Sequence, residues 1–118
     1  MKQKYLGGCQ CGKVQFEVEL ELNGVVSCNC SRCQRLGSLM AFAPAQDFKL
    51  LSGDEALTEY LFNKHIIHHL FCSNCGIESF ARGKNPADDA DMVALNVRCL
   101  DDVDIDALPV KKFDGRSF

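Results

Sequence analysis

Apolar and polar residues alternate without interruption over residues 14–22, where Val, Phe, Val, Leu and Leu take every second position. A period of two residues is typical of a β-strand with one buried face. Asn23-Gly24 follows directly. Because both residues tolerate positive φ angles, the pair favours a tight hairpin into a second strand at 25–27. The pattern therefore predicts two paired strands, with Cys28 at the end of the second.

Shorter apolar runs separated by turn residues predict six more strands. They cover residues 39–43, 48–51, 57–62, 65–71, 77–81 and 92–97. Helix is limited to one turn at 34–38, and residues 83–91, with Pro86 and three Asp, are predicted to form an exposed loop. Since no internal repeat or linker interrupts the chain, residues 1–118 are predicted to form one domain of mostly β structure.

Composition and charge argue against two classes of function, nucleic-acid binding and membrane association. The chain has 118 residues, of which 47% are hydrophobic and 25% charged, with a formal net charge of -3. It lacks the basic excess that a phosphate backbone requires, which argues against nucleic acid as the primary partner. No apolar run resembles a signal peptide or reaches the ~20 residues of a membrane span. We expect a cytoplasmic protein without a membrane partner, and no pattern indicates its oligomeric state.

Eight cysteines in 118 residues are a high count, and their spacing suggests their use. Seven of them fall in C-x-C, C-x-C-x-x-C and C-x-x-C clusters. Cysteines two or three residues apart are poorly placed to form a disulfide with each other but well placed to bind one ion together. In a reducing compartment such clusters more often bind metal or perform redox chemistry. The spacing therefore predicts metal binding.

Two of the clusters have the form of zinc knuckles. Cys9 and Cys11 precede Gly12, and Cys72 and Cys75 precede Gly76. A glycine at this position adopts the positive φ of the turn and leaves room for backbone N–H groups to point at the sulfurs. Four sulfurs complete a tetrahedral zinc site that excludes water. The sequence predicts a structural zinc ion that joins the first strand to the late sheet.

The third cluster, Cys28, Cys30 and Cys33, offers three thiols within six residues. Three protein ligands leave a coordination position for water or substrate, which is typical of catalytic zinc. The alternative is a second closed site, completed by a distant residue. The candidates for that fourth ligand are Cys99, His65, His68, His69 and the acidic side chains. Spacing alone leaves both interpretations open.

The remaining candidates have simpler interpretations. Cys99 follows an apolar stretch and is predicted to be a small buried residue. In a strand over 65–71, His65 and His69 would share one face as polar or partly packed positions. The acidic run 101–106 does not match a calcium loop, so solvation explains it.

The order and spacing of residues 8–12, 28–35 and 71–76 resemble the glutathione-dependent formaldehyde-activating enzyme family, which includes centromere protein V. The resemblance covers nearly the whole chain. It implies a β-tent fold of antiparallel sheets with two zinc ions, one structural and one more loosely held and catalytic. It assigns the structural ion to Cys9, Cys11, Cys72 and Cys75, and the catalytic ion to Cys28, Cys30 and Cys33.

Two departures from the family pattern indicate a subgroup. Residues 96–102 replace the glycine-serine-leucine-aspartate stretch of many members. The tail 110–116 lacks the histidine that many relatives have near this point.

The resemblance implies a carbon-sulfur lyase type activity, the reversible addition of the glutathione thiol to formaldehyde or a related small aldehyde. Zinc bound by the third cluster would hold the incoming thiol as a thiolate. Arg32 and Arg35 lie within or beside this cluster and are candidates to bind the glutathione carboxylates, the alternative being two solvated loop arginines. A competing function is a non-catalytic zinc module that binds a protein partner or senses thiols or metals.

Overall fold

The computed structural model describes residues 2–117, and the prediction of a mostly β fold is confirmed. Within this range the chain forms ten β-strands and one short α-helix. The strands are β1 Gln3–Gly8, β2 Gln15–Leu20, β3 Val25–Cys28, β4 Met40–Pro44, β5 Phe48–Ser52, β6 Leu57–Tyr60, β7 His68–Cys72, β8 Phe80–Lys84, β9 Asp91–Asn96 and β10 Val110–Phe113, and the helix is α1 Ser31–Leu36.

The strands form a small and a large sheet. The small sheet has the order β1-β2-β5, and the large sheet has the order β10-β3-β4-β9-β8-β7-β6. In the small sheet β1 and β2 pair in register from Gln3 opposite Leu20 to Gly8 opposite Gln15. The pairs are antiparallel, as predicted, with one exception, because β10 runs parallel to β3.

The core consists of aromatic and branched side chains that the two sheets direct toward each other. Phe16 and Phe48 come from the small sheet and Phe80 from the large one, with ring centroids 4.7 to 5.9 Å apart. Val93 and Leu95 of β9 are fully buried. In β2 buried positions alternate with more exposed ones, which confirms the period of two residues in the sequence.

The predicted hairpin at Asn23-Gly24 is wrong. Strand β2 pairs with β1 and β5, whereas β3 pairs with β4 and β10, so the dipeptide passes from one sheet to the other. The N–H of Val25 donates to the carbonyl of Pro109 at 2.9 Å. A Cβ on Gly24 would lie 3.1 Å from that same oxygen. The glycine is therefore needed for a close backbone approach and not for a two-residue turn.

The strands near the second knuckle begin later than predicted. Residues 61–67 form a turn region in which Asn63 and His65 have positive φ angles, so β7 begins at His68. Strand β8 includes Gly83 and Lys84, which shortens the predicted exposed loop. Strands β1 and β10 were not predicted. β10 is exposed along its whole length and carries no alternating pattern.

Helix α1 begins three residues earlier than the predicted turn at 34–38, and it starts inside the third cysteine cluster. Cys30 is its N-cap residue, and Gly37 ends it with a φ of 73°. No helix among residues 2–117 has the length and apolar character needed to span a membrane.

Candidate metal centres

The turn between β1 and β2 forms the first knuckle, with Cys9 and Cys11. The N–H of Cys9 donates to the carbonyl of Val14 at 3.0 Å, and the N–H of Gly12 donates back to the carbonyl of Cys9 at 3.3 Å. Gly12 has a φ of 85°, a conformation that favours glycine. The turn directs the N–H of Val14 at the Cys9 sulfur, 3.3 Å away, where it stabilises a thiolate.

The second knuckle lies between β7 and β8 and follows the same plan. The N–H of Gly76 donates to the carbonyl of Cys72 at 2.7 Å, and the N–H of Cys72 donates to the carbonyl of Ile77 at 3.0 Å. A Cβ on Gly76 would meet no atom within 4 Å, but its φ is 82°. The backbone conformation, and not lack of space, therefore requires glycine here.

The fold brings the four knuckle cysteines together, and we call them the four-cysteine cluster. Their sulfurs all lie within 4.8 Å of one another. Cys9 Sγ is 3.6 Å from Cys11 Sγ, and Cys11 Sγ is 3.7 Å from Cys72 Sγ. Four sulfurs at about 2.3 Å from a tetrahedral zinc ion are about 3.8 Å apart. The cluster therefore has the size of a zinc site, and these separations are too long for a disulfide.

Neighbouring donors favour the thiolate form at two of these cysteines, Cys11 and Cys75. The side chain of Asn74, followed by the Lys13 backbone N–H, lowers the pKa of Cys11 to about 6. Burial alone would raise the pKa of Cys75, but the backbone N–H groups of Ile77 and Cys11 outweigh it and the net shift is downward. Since metal ligands bind as thiolates, these donors prepare the cluster for a cation.

Cys28, Cys30 and Cys33 also converge, and we call them the three-cysteine cluster. Their sulfurs lie within 4.8 Å of one another. Cys28 ends β3, Cys30 caps α1 and Cys33 lies within α1. The N–H of Cys30 points at the Cys28 sulfur at 3.4 Å, and the N–H of Cys33 points at the Cys30 sulfur at 3.3 Å. The local chain path therefore directs all three thiols to one point.

The environment differs among these thiols. Burial raises the pKa of Cys33. Burial also acts to raise the pKa of Cys30, but the N–H and the side chain of Cys33 outweigh it, so that pKa is lowered. The pKa values of these two thiols are thus shifted in opposite directions, because burial dominates at Cys33 and hydrogen bonds dominate at Cys30.

Among residues 2–117, no His, Cys, Asp or Glu joins the three-cysteine cluster as a fourth ligand. Cys99 belongs to neither cluster and lies half-buried in the 3₁₀ turn Val97–Cys99, where burial raises its pKa to about 11. It is thus less buried than predicted. The acidic run 101–106 forms no metal-binding group either.

None of the three histidines provides the fourth ligand of the three-cysteine cluster. His65 lies in the turn before β7, so it does not share a strand face with His69 as predicted. His68 pairs with Glu59 at 3.0 Å, and His69 with Glu78 at 3.1 Å. The described residues thus arrange an open, three-ligand site.

The structure places Arg32 and Arg35 on α1 and not on a loop, with Arg32 half-buried and Arg35 exposed. Arg32 donates through Nε and Nη2 to Glu78 Oε1, at 3.1 and 2.6 Å. Its guanidinium lies 4.6 Å from the centroid of the Tyr60 ring. Arg35 is exposed and donates through Nη1 to the carbonyl of Ser31 at 3.0 Å. Arg32 is therefore held in place, whereas Arg35 is open to a ligand.

Sequence reasoning missed the C-terminal segment beside the three-cysteine cluster. The side chain of Asn29 donates through Nδ2 to Asp114 Oδ1 at 2.9 Å and accepts from the N–H of Arg116 at 2.9 Å. A Cβ on Gly115 would clash with the Cys28 sulfur. Residues 113–116 thus form a wall of the site. These contacts join residues that are about 85 positions apart in the sequence, so no local sequence pattern predicts them.

Comparison with known proteins identifies a family and a similar structure. The family described as glutathione-dependent formaldehyde-activating enzyme matches residues 4–113. A Rhodobacter sphaeroides protein of known crystal structure is 32% identical, with a TM-score of 0.77 over 90% of this chain and 99% of the other. The resemblance predicted from the cysteine motifs is confirmed, and the chain belongs to the glutathione-dependent formaldehyde-activating enzyme family.

Proposed function

We propose that this protein is a carbon-sulfur lyase type enzyme that catalyses the reversible addition of glutathione to formaldehyde or a related small aldehyde. The observation that carries the proposal is the open three-cysteine cluster beside a separate, complete four-cysteine cluster. Membership of the family supports the choice of thiol and aldehyde. The free cysteines suit a reducing compartment, and we propose the cytoplasm as the site of action.

Each cluster has its own role in this proposal. Cys9, Cys11, Cys72 and Cys75 hold a structural zinc ion, and Cys28, Cys30 and Cys33 hold a second, more labile and catalytic one. When bound in an open site, zinc supplies a Lewis acid that keeps a ligand thiol deprotonated at neutral pH. The backbone N–H groups of Cys30 and Cys33 favour this by stabilising the protein's own sulfurs as anions.

The addition itself requires only that two reactants meet in a fixed orientation. A sulfur electron pair forms the new carbon-sulfur bond, the carbonyl π pair moves to oxygen, and the thiol proton ends on that oxygen. The product is an S-hydroxymethyl adduct, and the reverse reaction breaks the same bond. A site that holds thiol and aldehyde together turns a bimolecular encounter into a local one.

Charged side chains around α1 would orient the thiol substrate. Glutathione carries two carboxylates, and guanidinium groups bind carboxylates well. We propose Arg35, which is exposed, and Arg32, whose Nη1 faces no partner among the described contacts, as the cations that receive them. Because Glu78 neutralises Arg32, Arg35 is expected to contribute more of the net attraction.

The test must separate catalysis from the spontaneous reaction of thiols with formaldehyde. NMR exchange spectroscopy at equilibrium measures how fast formaldehyde passes between free and adduct forms, with and without protein. We expect acceleration by the zinc-loaded protein and its loss in Cys28→Ala, Cys30→Ala and Cys33→Ala. Cys99→Ala is the control, because Cys99 lies in neither cluster, and it should remain active.

An exchange rate equal to that of buffer, with both sites loaded, would contradict the proposed substrate pair. Absence of glutathione binding in the same sample would favour the alternative function, a non-catalytic zinc module.

A further inference from the structure

Glu78 is a buried carboxylate whose two oxygens are both engaged. The residue is 7% exposed, and Oε1 accepts from Nε and Nη2 of Arg32, at 3.1 and 2.6 Å. Oε2 lies 3.1 Å from Nδ1 of His69, which is 6% exposed. Since a carboxylate only accepts hydrogen bonds, the His69 ring carries a proton on Nδ1. We call these three residues the Glu78 triad.

A buried ionic group of this kind is expensive. Removing a carboxylate from water destabilises the folded state unless hydrogen bonds and an opposite charge offset the lost hydration, as they do in the triad. An apolar replacement of similar volume is often as stable as a buried ion pair. The stability of the fold alone does not explain why this carboxylate is there.

The position of the triad suggests a different role. His69 lies three residues before Cys72 and Glu78 three residues after Cys75, so the two flanks of the second knuckle meet at Glu78. The other oxygen of Glu78 accepts from Arg32. Arg32 itself stands between Cys30 and Cys33 in the chain. The triad thus joins the second knuckle, which supplies two thiols of the four-cysteine cluster, to α1 and its N-cap, which supply two thiols of the three-cysteine cluster.

Both Glu78 and Arg32 are held in place by further contacts. The carbonyl of Glu78 accepts from Asn96 Nδ2 at 3.3 Å, and the carbonyl of Ser79 accepts from the Asn96 N–H at 2.9 Å. The Arg32 guanidinium packs over the Tyr60 ring, which restricts its orientation. Hydrogen bonds to Asn96 of β9 therefore anchor the segment before β8 that contacts α1. This helix is only six residues long and buries no residue of its own.

We propose that Glu78 is a positioning residue for the metal site of the three-cysteine cluster. Through Arg32 it fixes the first turn of α1 and so sets the spacing between the Cys30 and Cys33 sulfurs. It touches neither metal nor substrate. Loss of a partner that is hydrogen-bonded directly to a metal ligand typically lowers metal affinity by about 10-fold to 100-fold. Because Glu78 acts through Arg32, we expect an effect at the lower end of this range. The inference shares with the proposed function the premise that this cluster binds metal, but it does not depend on which thiol or aldehyde reacts.

Cobalt(II) is a suitable probe, because it binds these ligands more weakly than zinc and reports its coordination in the visible spectrum. The full chain is prepared with zinc in the four-cysteine cluster, and cobalt(II) is titrated into the other site against a competing chelator. Glu78→Gln keeps the shape of the side chain and removes its charge. The matched control is Glu59→Gln, which breaks an exposed His68–Glu59 pair of the same kind.

We expect Glu78→Gln to lower cobalt(II) affinity by about 10-fold or more and to change the d–d band shape at saturation, with the first zinc retained. Glu59→Gln should match the wild type in both measurements. Wild-type affinity and an unchanged spectrum in Glu78→Gln would overturn the proposal.

If Glu78→Gln also loses the first zinc, Arg32→Lys tests the positioning role instead. Lysine retains one positive charge opposite Glu78 but removes the contact through two nitrogens, Nε and Nη2. An intermediate loss of affinity would support the proposal, and wild-type behaviour would overturn it. A wild-type protein that binds no cobalt(II) in the three-cysteine cluster would reject the proposed function as well.

Discussion

The four-cysteine and three-cysteine clusters use the same ligand atom, yet the chain builds them in opposite ways. The first combines two knuckles from different sheets, one after β1 and one after β7, about 60 residues apart. The second takes all its thiols from one segment of six residues. An ion in the first would join the two sheets. An ion in the second would bind residues that are already close together in the chain. The sequence distance between ligands is therefore the structural difference that the proposed function assigns to a stabilising site and a reactive one.

Removing one ligand from each cluster should produce the largest contrast. Cys72 is fully buried and shares the sheet-joining site, so Cys72→Ala should abolish cooperative folding. A structural zinc ion contributes on the order of 10 kcal/mol of binding free energy to such a fold. Cys30→Ala should keep the fold and one ion. Circular dichroism melting with metal counting by native mass spectrometry measures both, and a Cys72→Ala protein with the wild-type Tm would remove the distinction.

A smaller effect is expected where the C-terminal segment meets the three-cysteine cluster. Gly115→Ala places a methyl group against the Cys28 sulfur, and such overpacking costs about 1–3 kcal/mol. We expect at least a tenfold loss of metal affinity at this cluster only. The control is Gly83→Ala, whose Cβ would lie 3.7 Å from Ile67 Cγ1 in ordinary contact. Equal cobalt(II) affinity in both variants would show that the segment does not shape the site.

The smallest effect concerns substrate binding at the edge of the open site. Arg35 is exposed, and exposed charge pairs contribute about 1 kcal/mol or less, so Arg35→Ala should weaken glutathione binding by roughly twofold to fivefold. The loss should diminish with added salt. Lys49→Ala, on the small sheet, is the control. Isothermal titration calorimetry at two salt concentrations measures the difference, and an unchanged Kd would exclude Arg35 from the binding surface.

Local sequence signals predicted the parts of this molecule that are locally determined. The cysteine spacings and their glycines indicated both clusters, because a knuckle is formed by a few consecutive residues. The alternation around β2 gave its burial correctly, since one face of that strand packs in the core. In these cases the residues that form the sequence pattern are the same residues that form the turn or the strand.

The sequence failed where distant contacts decide the outcome. Asn23-Gly24 has hairpin chemistry, but the contact of Val25 with Pro109 sends the chain into the other sheet. Glu78 carries no motif, and its role became visible only when Arg32 and His69 were found against it. Such residues depend on the packing of segments that are remote in the sequence.

The parallel pairing of β10 with β3 has a consequence for how the protein matures. It joins Val110 to Val25 and Phe113 to Cys28, residues about 85 apart. Contacts of such high contact order form late, because a long loop must close before they are made. During synthesis the thiols of the three-cysteine cluster emerge about 80 residues before the segment that forms their wall. A nascent chain can therefore bring the three sulfurs together before the wall formed by residues 113–116 is in place.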